Sequence, residues 1–339
     1  MNRILVVLIF CALSGSAIAA DKLTAESINH AEWSDKVKPN AVNPTIVKLE
    51  IMLSRAHFSP GEIDGRLGEN LQKAALAYAE ENHLGDVGSS MKPVWDRLSS
   101  TDGDPAIVDY VITEKDVQGP FLKKIPKKME KMKGLRHLSY RSPKEELAEK
   151  FHMSEELLHK LNPGKTFTNP NVTVSVAAVD IPAAGQKAAS IEVSVDHQTL
   201  KALDGDGNLI AYYPATVGSD EKPAPMGTFK VKGIAKNPIY HYNPKYAFKG
   251  VKSKRRFTIA AGPNNPVGTT WIDLSAKSYG IHGTPEPSKV SKSESHGCIR
   301  LTNWDVQQLA AMVRRGTKVV IENSSESDAS EQAAKRPAN

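Results

Sequence analysis

The rhythm of apolar and polar residues changes several times along the chain. Residues 4–13 are continuously apolar, behind Arg3 and ahead of the small residues Ala17-Ile18-Ala19. Ile46, Leu49, Met52 and Leu53 then recur at helical spacing, and Leu71, Ala74, Ala75 and Tyr78 do so again. Each set puts one apolar stripe on an amphipathic helix. Between them the stretch Phe58-Ser59-Pro60-Gly61-Glu62-Ile63-Asp64-Gly65-Arg66-Leu67-Gly68 carries Pro-Gly and Asp-Gly pairs, which break a helix and invite positive φ.

Further on, Ser142-Pro143-Lys144-Glu145 and Ser154-Glu155-Glu156 read as helix starts, with a serine cap, proline at the first helical position or acids in the first turn. Flanked by residues 135–140 and 172–179, they predict the order strand, helix, helix, strand. From Ala188 the period falls to two: Ile191, Val193 and Val195, then Leu209, Ala211 and Tyr213, then Phe229 and Val231. Alternation with Gly-rich breaks predicts antiparallel β structure. A last helix is expected over 304–315, opened by Thr302 and Asp305 in capping-box spacing and closed by Gly316, with a final strand over 318–321.

These patterns divide the 339 residues into an export signal (1–20), a helical domain (44–100), a linker (101–134), a strand-helix-helix-strand domain (135–181), a β-rich domain (188–322) and a tail without periodicity (323–339), expected to be disordered. The linker is rich in Lys, Asp, Pro and Gly, with the basic patch Lys123-Lys124-Ile125-Pro126-Lys127-Lys128. The apolar run at 4–13 is too short to span a membrane and has the flanks of a secretory signal, cleaved near Ala19 or Ala20. A periplasmic protein is expected.

Export changes the meaning of composition. The net charge of +6 would suit nucleic acid in a cytosolic protein; for an exported one an anionic envelope polymer is the natural partner. The chain has two cysteines, and Cys11 lies in the signal, behind Phe10 instead of the small residue a lipid-attachment site wants. Cys298 then has no second cysteine to pair with in a compartment that favours disulfides. An inert buried thiol, an intermolecular disulfide and a reactive thiol all remain open on composition alone.

The neighbourhood of Cys298 points to chemistry. Ile281-His282-Gly283 and Ser295-His296-Gly297-Cys298-Ile299-Arg300 bring two histidines within reach of the thiol, and a thiol attacks carbonyls only as its thiolate, so it needs a base or a positive group nearby. Spacing leaves both His282 and His296 as candidate bases. Asp204-Gly205-Asp206-Gly207-Asn208 is a hairpin turn and not a calcium loop, because Leu209 and Ala215 stand where such a loop needs Gly and Glu. No His-Glu-x-x-His or phosphate-binding glycine loop is present.

Three resemblances follow from these residues. Residues 44–100 resemble the peptidoglycan-binding type 1 domain, a three-helix module, through the Leu-rich first helix, the turn from Gly61 to Gly68 and Val94-Trp95-Asp96-Arg97-Leu98. Ala77-Tyr78-Ala79-Glu80 departs from that family's Phe-Gln pair. Residues 135–181 are similar to a degenerate LysM glycan-binding domain. Residues 188–322 resemble the catalytic domain of the L,D-transpeptidases of YkuD type. The match runs through Pro225-Met226-Gly227-Thr228-Phe229, Gly268-Thr269-Thr270-Trp271, Tyr279-Gly280-Ile281-His282-Gly283-Thr284 and Ser295-His296-Gly297-Cys298-Ile299-Arg300-Leu301.

The last resemblance implies a multidomain, mainly β protein whose catalytic β-sandwich follows the two smaller domains. It implies Cys298 as nucleophile, His282 as proton acceptor and donor, and Gly283 as the residue whose carbonyl orients His282. Ser295 and His296 would line the pocket, backbone N–H groups at Gly297 and Cys298 would stabilise an oxyanion, and Arg300 would meet a substrate carboxylate. The implied substrate is a peptidoglycan tetrapeptide stem on its glycan strand, cut between residue 3, expected to be meso-diaminopimelate, and D-Ala. An amine of a second stem or an envelope lipoprotein would be the acceptor, and carbapenems would be covalent inhibitors. No metal or cofactor is required. The alternatives are a hydrolase on the same fold, with water as acceptor, and a non-catalytic peptidoglycan-binding protein. The segment 240–248, with the basic run 249–256, reads as an active-site flap or as a loop packed on the β domain, and 284–294 as the loop at the mouth of the site.

Overall fold

The computed structural model describes residues 23–38, 40–88, 90–179, 185–219, 222–246, 251–293 and 297–323. The expected signal, Ser295, His296 and all but the first residue of the tail lie outside the described residues.

The N-terminal helices are α1 (Ala25–Asn29), α2 (Pro44–Arg55), α3 (Glu69–Glu81) and α4 (Lys92–Thr101). The stripe Ile46, Leu49, Met52, Leu53 of α2 meets Leu71, Ala74, Ala75, Tyr78 of α3 and Val94, Trp95, Leu98 of α4 in one buried cluster. Each of the larger side chains contributes about 1.5–3 kcal/mol on burial. Asn43 caps α2 by accepting from the Thr45 N–H, with Pro44 at the first position.

β1 (Ile107–Val111), α5 (Glu114–Gln118), α6 (Met129–Met132), α7 (Pro143–Lys150), α8 (Glu155–Leu161) and β2 (Thr173–Ala177) follow. Ser142 and Ser154 cap α7 and α8 by accepting from Glu145 and Leu157 N–H groups. The strand expected at 135–140 does not form. β2 pairs instead with β1, antiparallel from Ile107↔Ala177 to Val111↔Thr173, so 101–134 is more than a linker. Only Ile107 of β1 is fully buried, and an edge strand held by backbone pairing leaves no alternation to read. Residues 135–140 serve as a strap: Leu138 donates to Ala261 O and accepts from Asn264 N, each at 2.9 Å.

The remaining chain forms β3 (Ser190–Ser194), β4 (Thr199–Leu203), β5 (Leu209–Pro214), β6 (Thr216–Val217), β7 (Gly227–Lys236), β8 (Tyr240–Tyr242), β9 (Phe257–Ile259), β10 (Thr270–Leu274), β11 (Gly280–His282), β12 (Ile299–Arg300), α9 (Asn303–Met312) and β13 (Lys318–Glu322). Nine of these strands make one mixed sheet in the order β5-β4-β3-β13-β7-β10-β11-β12-β6. β7 pairs with β13 over residues 227–230 and with β10 over 231–236, so it joins two half-sheets. Their inner residues, Ile191, Val193, Leu200, Tyr213, Ile272, Ile281, Ile299, Val319 and Ile321 among them, share one core with Val306, Leu309 and Met312 of α9. β5 and β6 lie at opposite ends of the strand order but are separated by Ala215 alone. The side-chain amide of Gln198 ties the seam by bonding both Val217 N (2.8 Å) and Val217 O (3.0 Å).

The expected sandwich is therefore a single sheet folded over its own core, and β3 with β13 and β11 with β12 are parallel pairs. A period of two reports which face is buried and says nothing of strand direction. α9 stops at Met312, short of the expected residue 315, because Val313 is already extended and turns into the core. Gly316, at φ 95°, then gives its N–H to Val231 O and leads into β13.

The turn at 58–65 is clamped between the three units. Ser59 N–H donates to the O of Tyr212 on β5, and Tyr212 N–H donates to His57 O, while Ile63 exchanges bonds with His152 and Ser154 beside α8. Residues 58–61, Ile63 and Gly65 are buried. This turn is a joint and not an open surface. Among the described residues no helix is long and apolar enough to cross a membrane.

Candidate active site

β11 and β12 run side by side and parallel, with Ile281 opposite Ile299 and His282 opposite Arg300. Both isoleucines point into the core. Side chains alternate along a strand, so His282 and Arg300 must point to the other face, as must Cys298 one step before Ile299. The three side chains line one cleft of about 1270 Å³. The sequence folds this way because apolar residues at 281 and 299 fix the register; a slip by one residue would bury the reactive groups instead.

His282 is 5% exposed, and its Nδ1 lies 2.7 Å from the carbonyl oxygen of Gly283. A carbonyl only accepts, so Nδ1 carries the proton and Nε2 holds the lone pair of a neutral ring. Burial pushes the imidazole down to about 3, and the Arg300 charge adds to this, against the opposing pull of the Gly283 carbonyl. The Trp271 ring stacks on the imidazole at 5.5 Å and 14°. Gly280 makes the stack possible, because a Cβ there would run into the Trp271 indole.

Cys298 is in no disulfide and keeps a partial opening to the cleft, while its thiol is desolvated. Burial pushes the thiol up from its ordinary value; a backbone hydrogen bond from Gly280 and the charges of Arg300 and Lys222 pull it part of the way back. Both shifts favour the neutral forms of the thiol and the imidazole. Gly297 precedes the cysteine at φ 96°, and a Cβ there would come within 2.8 Å of the Tyr279 ring. Such a position accepts glycine and few other residues.

Arg300 is half-buried, and the desolvation of its guanidinium lowers its affinity for a proton, while Glu286 and Cys298 raise it. Its Nε makes no hydrogen bond among the described residues. Of the residues singled out in the sequence, Cys298, His282, Gly283, Gly297 and Arg300 are brought together here; Ser295 and His296 lie outside the described residues. Among the described residues no group of three or more His, Cys, Asp and Glu side chains is gathered as a metal-ligand set.

Several lining residues had no signal of their own in the sequence. Met129 and Met132 of α6 form one wall, held by Glu130, which accepts from the Lys252 and Ser253 N–H groups at 2.7 and 3.3 Å. Residues 240–242 and 257 form another, as the β8–β9 hairpin with Tyr242 stacked on Phe257. This part of the 240–248 segment is a packed wall of the cleft. The polar linker and the short hairpin gave no periodicity by which this placement could have been read.

Asn303 was also missed. It follows Arg300 by three residues and sits buried at the first position of α9. Its Oδ1 accepts from Thr269 N–H at 3.1 Å and rests where a Cβ on Gly268 or Gly283 would stand.

Comparison with known proteins gives consistent matches over this region. The family model of the YkuD L,D-transpeptidase catalytic domain matches residues 188–321. A relative from Bacillus licheniformis named for the L,D-transpeptidase YkuD is 30% identical over 177 residues, which cover 52% of this chain and 92% of the relative. Its Bacillus subtilis counterpart is 33% identical over 131 residues, covering 39% of this chain and 64% of the relative. Among solved structures, L,D-transpeptidase 3 from Mycobacterium tuberculosis with a faropenem-derived adduct shows 17% identity over 45% of this chain and 75% of its own, with a TM-score of 0.34.

Proposed function

Because the chain belongs to the YkuD family of L,D-transpeptidases and carries that catalytic domain, a cysteine-dependent acyltransferase, we propose that Cys298 and His282 perform its acyl transfer on peptidoglycan stems in the periplasm. The observation that carries this reading is the His282–Gly283 hydrogen bond, which leaves Nε2 as the basic atom of a buried imidazole in the same cleft as the thiol.

In this reading the Cys298 sulfur attacks the carbonyl between residue 3 of a tetrapeptide stem, meso-diaminopimelate, and D-Ala, while His282 Nε2 takes the thiol proton. Neutral partners suit the step: charge develops only as the bond forms, and the N–H groups at Gly297 and Cys298 face the developing oxyanion. The C–N bond then breaks, His282 returns the proton to the departing D-Ala amine, and a thioester remains on Cys298. An amine of a second stem attacks it to give a 3→3 cross-link, or a lipoprotein lysine attacks to give an anchored protein; His282 accepts the amine proton and passes it back to the thiolate. Ser295 and His296 complete the pocket wall in the same reading.

Arg300 fits a stem carboxylate: it is the guanidinium beside the thiol, and its Nε has no bonding partner among the described residues. The two N-terminal units act first as scaffold. Their glycan-binding reading rests on resemblance. A carbapenem would acylate the same sulfur. The test is mass spectrometry of the products from disaccharide-tetrapeptide. Dimers lacking one D-Ala support transfer, and tripeptide monomer alone assigns the site to hydrolysis.

A further inference from the structure

The His282–Gly283 pair rests on a chain of contacts that begins outside the catalytic domain. Glu149 lies on α7, and its carboxyl group is enclosed between the strap at Tyr140 and the start of α9. Both of its oxygens accept from the Asn303 amide, at 3.2 and 3.0 Å. The same Nδ2 also reaches Pro263 O at 3.2 Å, so its two N–H groups are both used. With Nδ2 held, Oδ1 is turned toward Thr269 N–H and lies against Gly268 and Gly283. Gly283 N–H in turn donates to Thr270 O at 3.2 Å, which ties the residue whose carbonyl binds His282 to the start of β10, next to the Thr269 N–H that Asn303 holds. Glycine stands at both 268 and 283 because a Cβ at either would overlap Asn303 Oδ1.

We propose that Glu149 is a positioning residue for His282, acting through Asn303 and the 268–270 segment that leads into β10 on the Gly283 carbonyl. The proposal rests on the assignment of Cys298 and His282 given above. It gives the second N-terminal unit a part in the chemistry that needs no contact with substrate. Without Glu149 one buried Asn303 N–H loses its acceptor, and the amide is free to turn to recover one. The Gly283 carbonyl then loses the surface that sets its direction, and with it the imidazole loses its fixed tautomer and orientation. Burial pushes the Glu149 carboxyl up to about 8, so near neutral pH it is mostly protonated, and glutamine is a close mimic of that form.

The full chain is used for the test, with donor disaccharide-tetrapeptide and with active sites counted by carbapenem titration carried to completion. Glu149→Ala is expected to lower kcat per titrated site about ten- to a hundred-fold, the scale of a small misplacement of a reacting group, with KM for the donor unchanged. Glu149→Gln is expected to recover most of that loss. Arg55→Ala, which removes bonds to Ala178 O and Asp102 at the other junction of these units, is expected to leave kcat per titrated site unchanged. Wild-type kcat per site in Glu149→Ala, no recovery by Gln, or an equal loss in Arg55→Ala would each overturn the proposal. Cys298→Ala separates the two levels. If it stays active, the catalytic assignment fails; if it is inactive while Glu149→Ala is unimpaired, only the role of Glu149 fails.

Discussion

The His282 imidazole donates its Nδ1 proton to the Gly283 carbonyl at 2.7 Å, while burial holds its basicity far below the ordinary histidine value, at about 3. The Cys298 thiol is shifted the other way. These two directions make a pH prediction with a definite sign. Alkylation of Cys298 by iodoacetamide should climb continuously with pH through neutrality, about tenfold per pH unit, because it follows the rare thiolate. Turnover should persist at about pH 5, where an ordinary imidazole would be mostly charged. A flat alkylation rate across neutral pH would show a preformed thiolate–imidazolium pair and contradict the assignment.

Gly283 tests the orientation of the histidine. A Cβ there would overlap Asn303 Oδ1 and crowd the Val306 side chain. Gly283→Ala is expected to fold, with a reduced Tm from this overpacking, and to lose at least about a hundred-fold in kcat as the carbonyl moves off Nδ1. Steady-state kinetics beside a thermal melt separate the two effects.

Arg300 affects both reactants. Its charge pulls the thiol down and disfavours a second charge on His282. Arg300→Lys keeps the charge and loses the planar fork, so it should raise KM for a carboxylate-bearing stem more than it changes the alkylation profile of Cys298. Arg300→Ala should do both, moving the thiolate limb to higher pH and costing about 1.5–3 kcal/mol in kcat/KM from the lost charged hydrogen bonds.

Asp305, fully buried at the start of α9, is pushed up to about 7 by that burial, against hydrogen bonds from Thr302 and Ser59. Its folded form holds a proton that the unfolded chain releases near 3.8. The stability it contributes is therefore present in full below that value and is lost as pH rises through about 7. His152, pushed down to about 3 by burial, acts in the opposite direction, so the comparison should be between variants. In urea unfolding, Asp305→Asn should lose less stability than the wild type between about pH 4 and pH 7, by an amount on the order of a few kcal/mol. Parallel curves would contradict the buried, protonated state.

Local chemistry was legible in the sequence wherever the reacting groups sit close together in the chain. Cys298, His282 and Arg300 share a face because Ile281 and Ile299 face the core, and that alternation can be read from the residues themselves. Helices α7, α8 and α9 were equally legible from their caps, since Ser142, Ser154 and Thr302 all accept from the third helical N–H, whereas the short helices α1 and α5, with capping boxes at Thr24 and Thr113, went unread. What the sequence hid is pairing at a distance. β1 has one fully buried residue and lies 66 positions from its partner at Asp109↔Ser175. Glu149 and Asn303 are 154 positions apart, on an acidic helix face and at a helix start where each looks like ordinary surface. The parallel pairs of the sheet were hidden for the same reason: burial patterns carry no strand direction.

The central claim is that a stem is held as a thioester on Cys298. The most direct measurement is acid-quenched peptide mapping of the full chain during turnover of disaccharide-tetrapeptide. The expected result is the disaccharide-tripeptide acyl group on the peptide containing Cys298, lost on treatment with hydroxylamine and absent in Cys298→Ala, which should also release no D-Ala. An acyl group on another residue, or D-Ala release at the wild-type rate from Cys298→Ala, would contradict it.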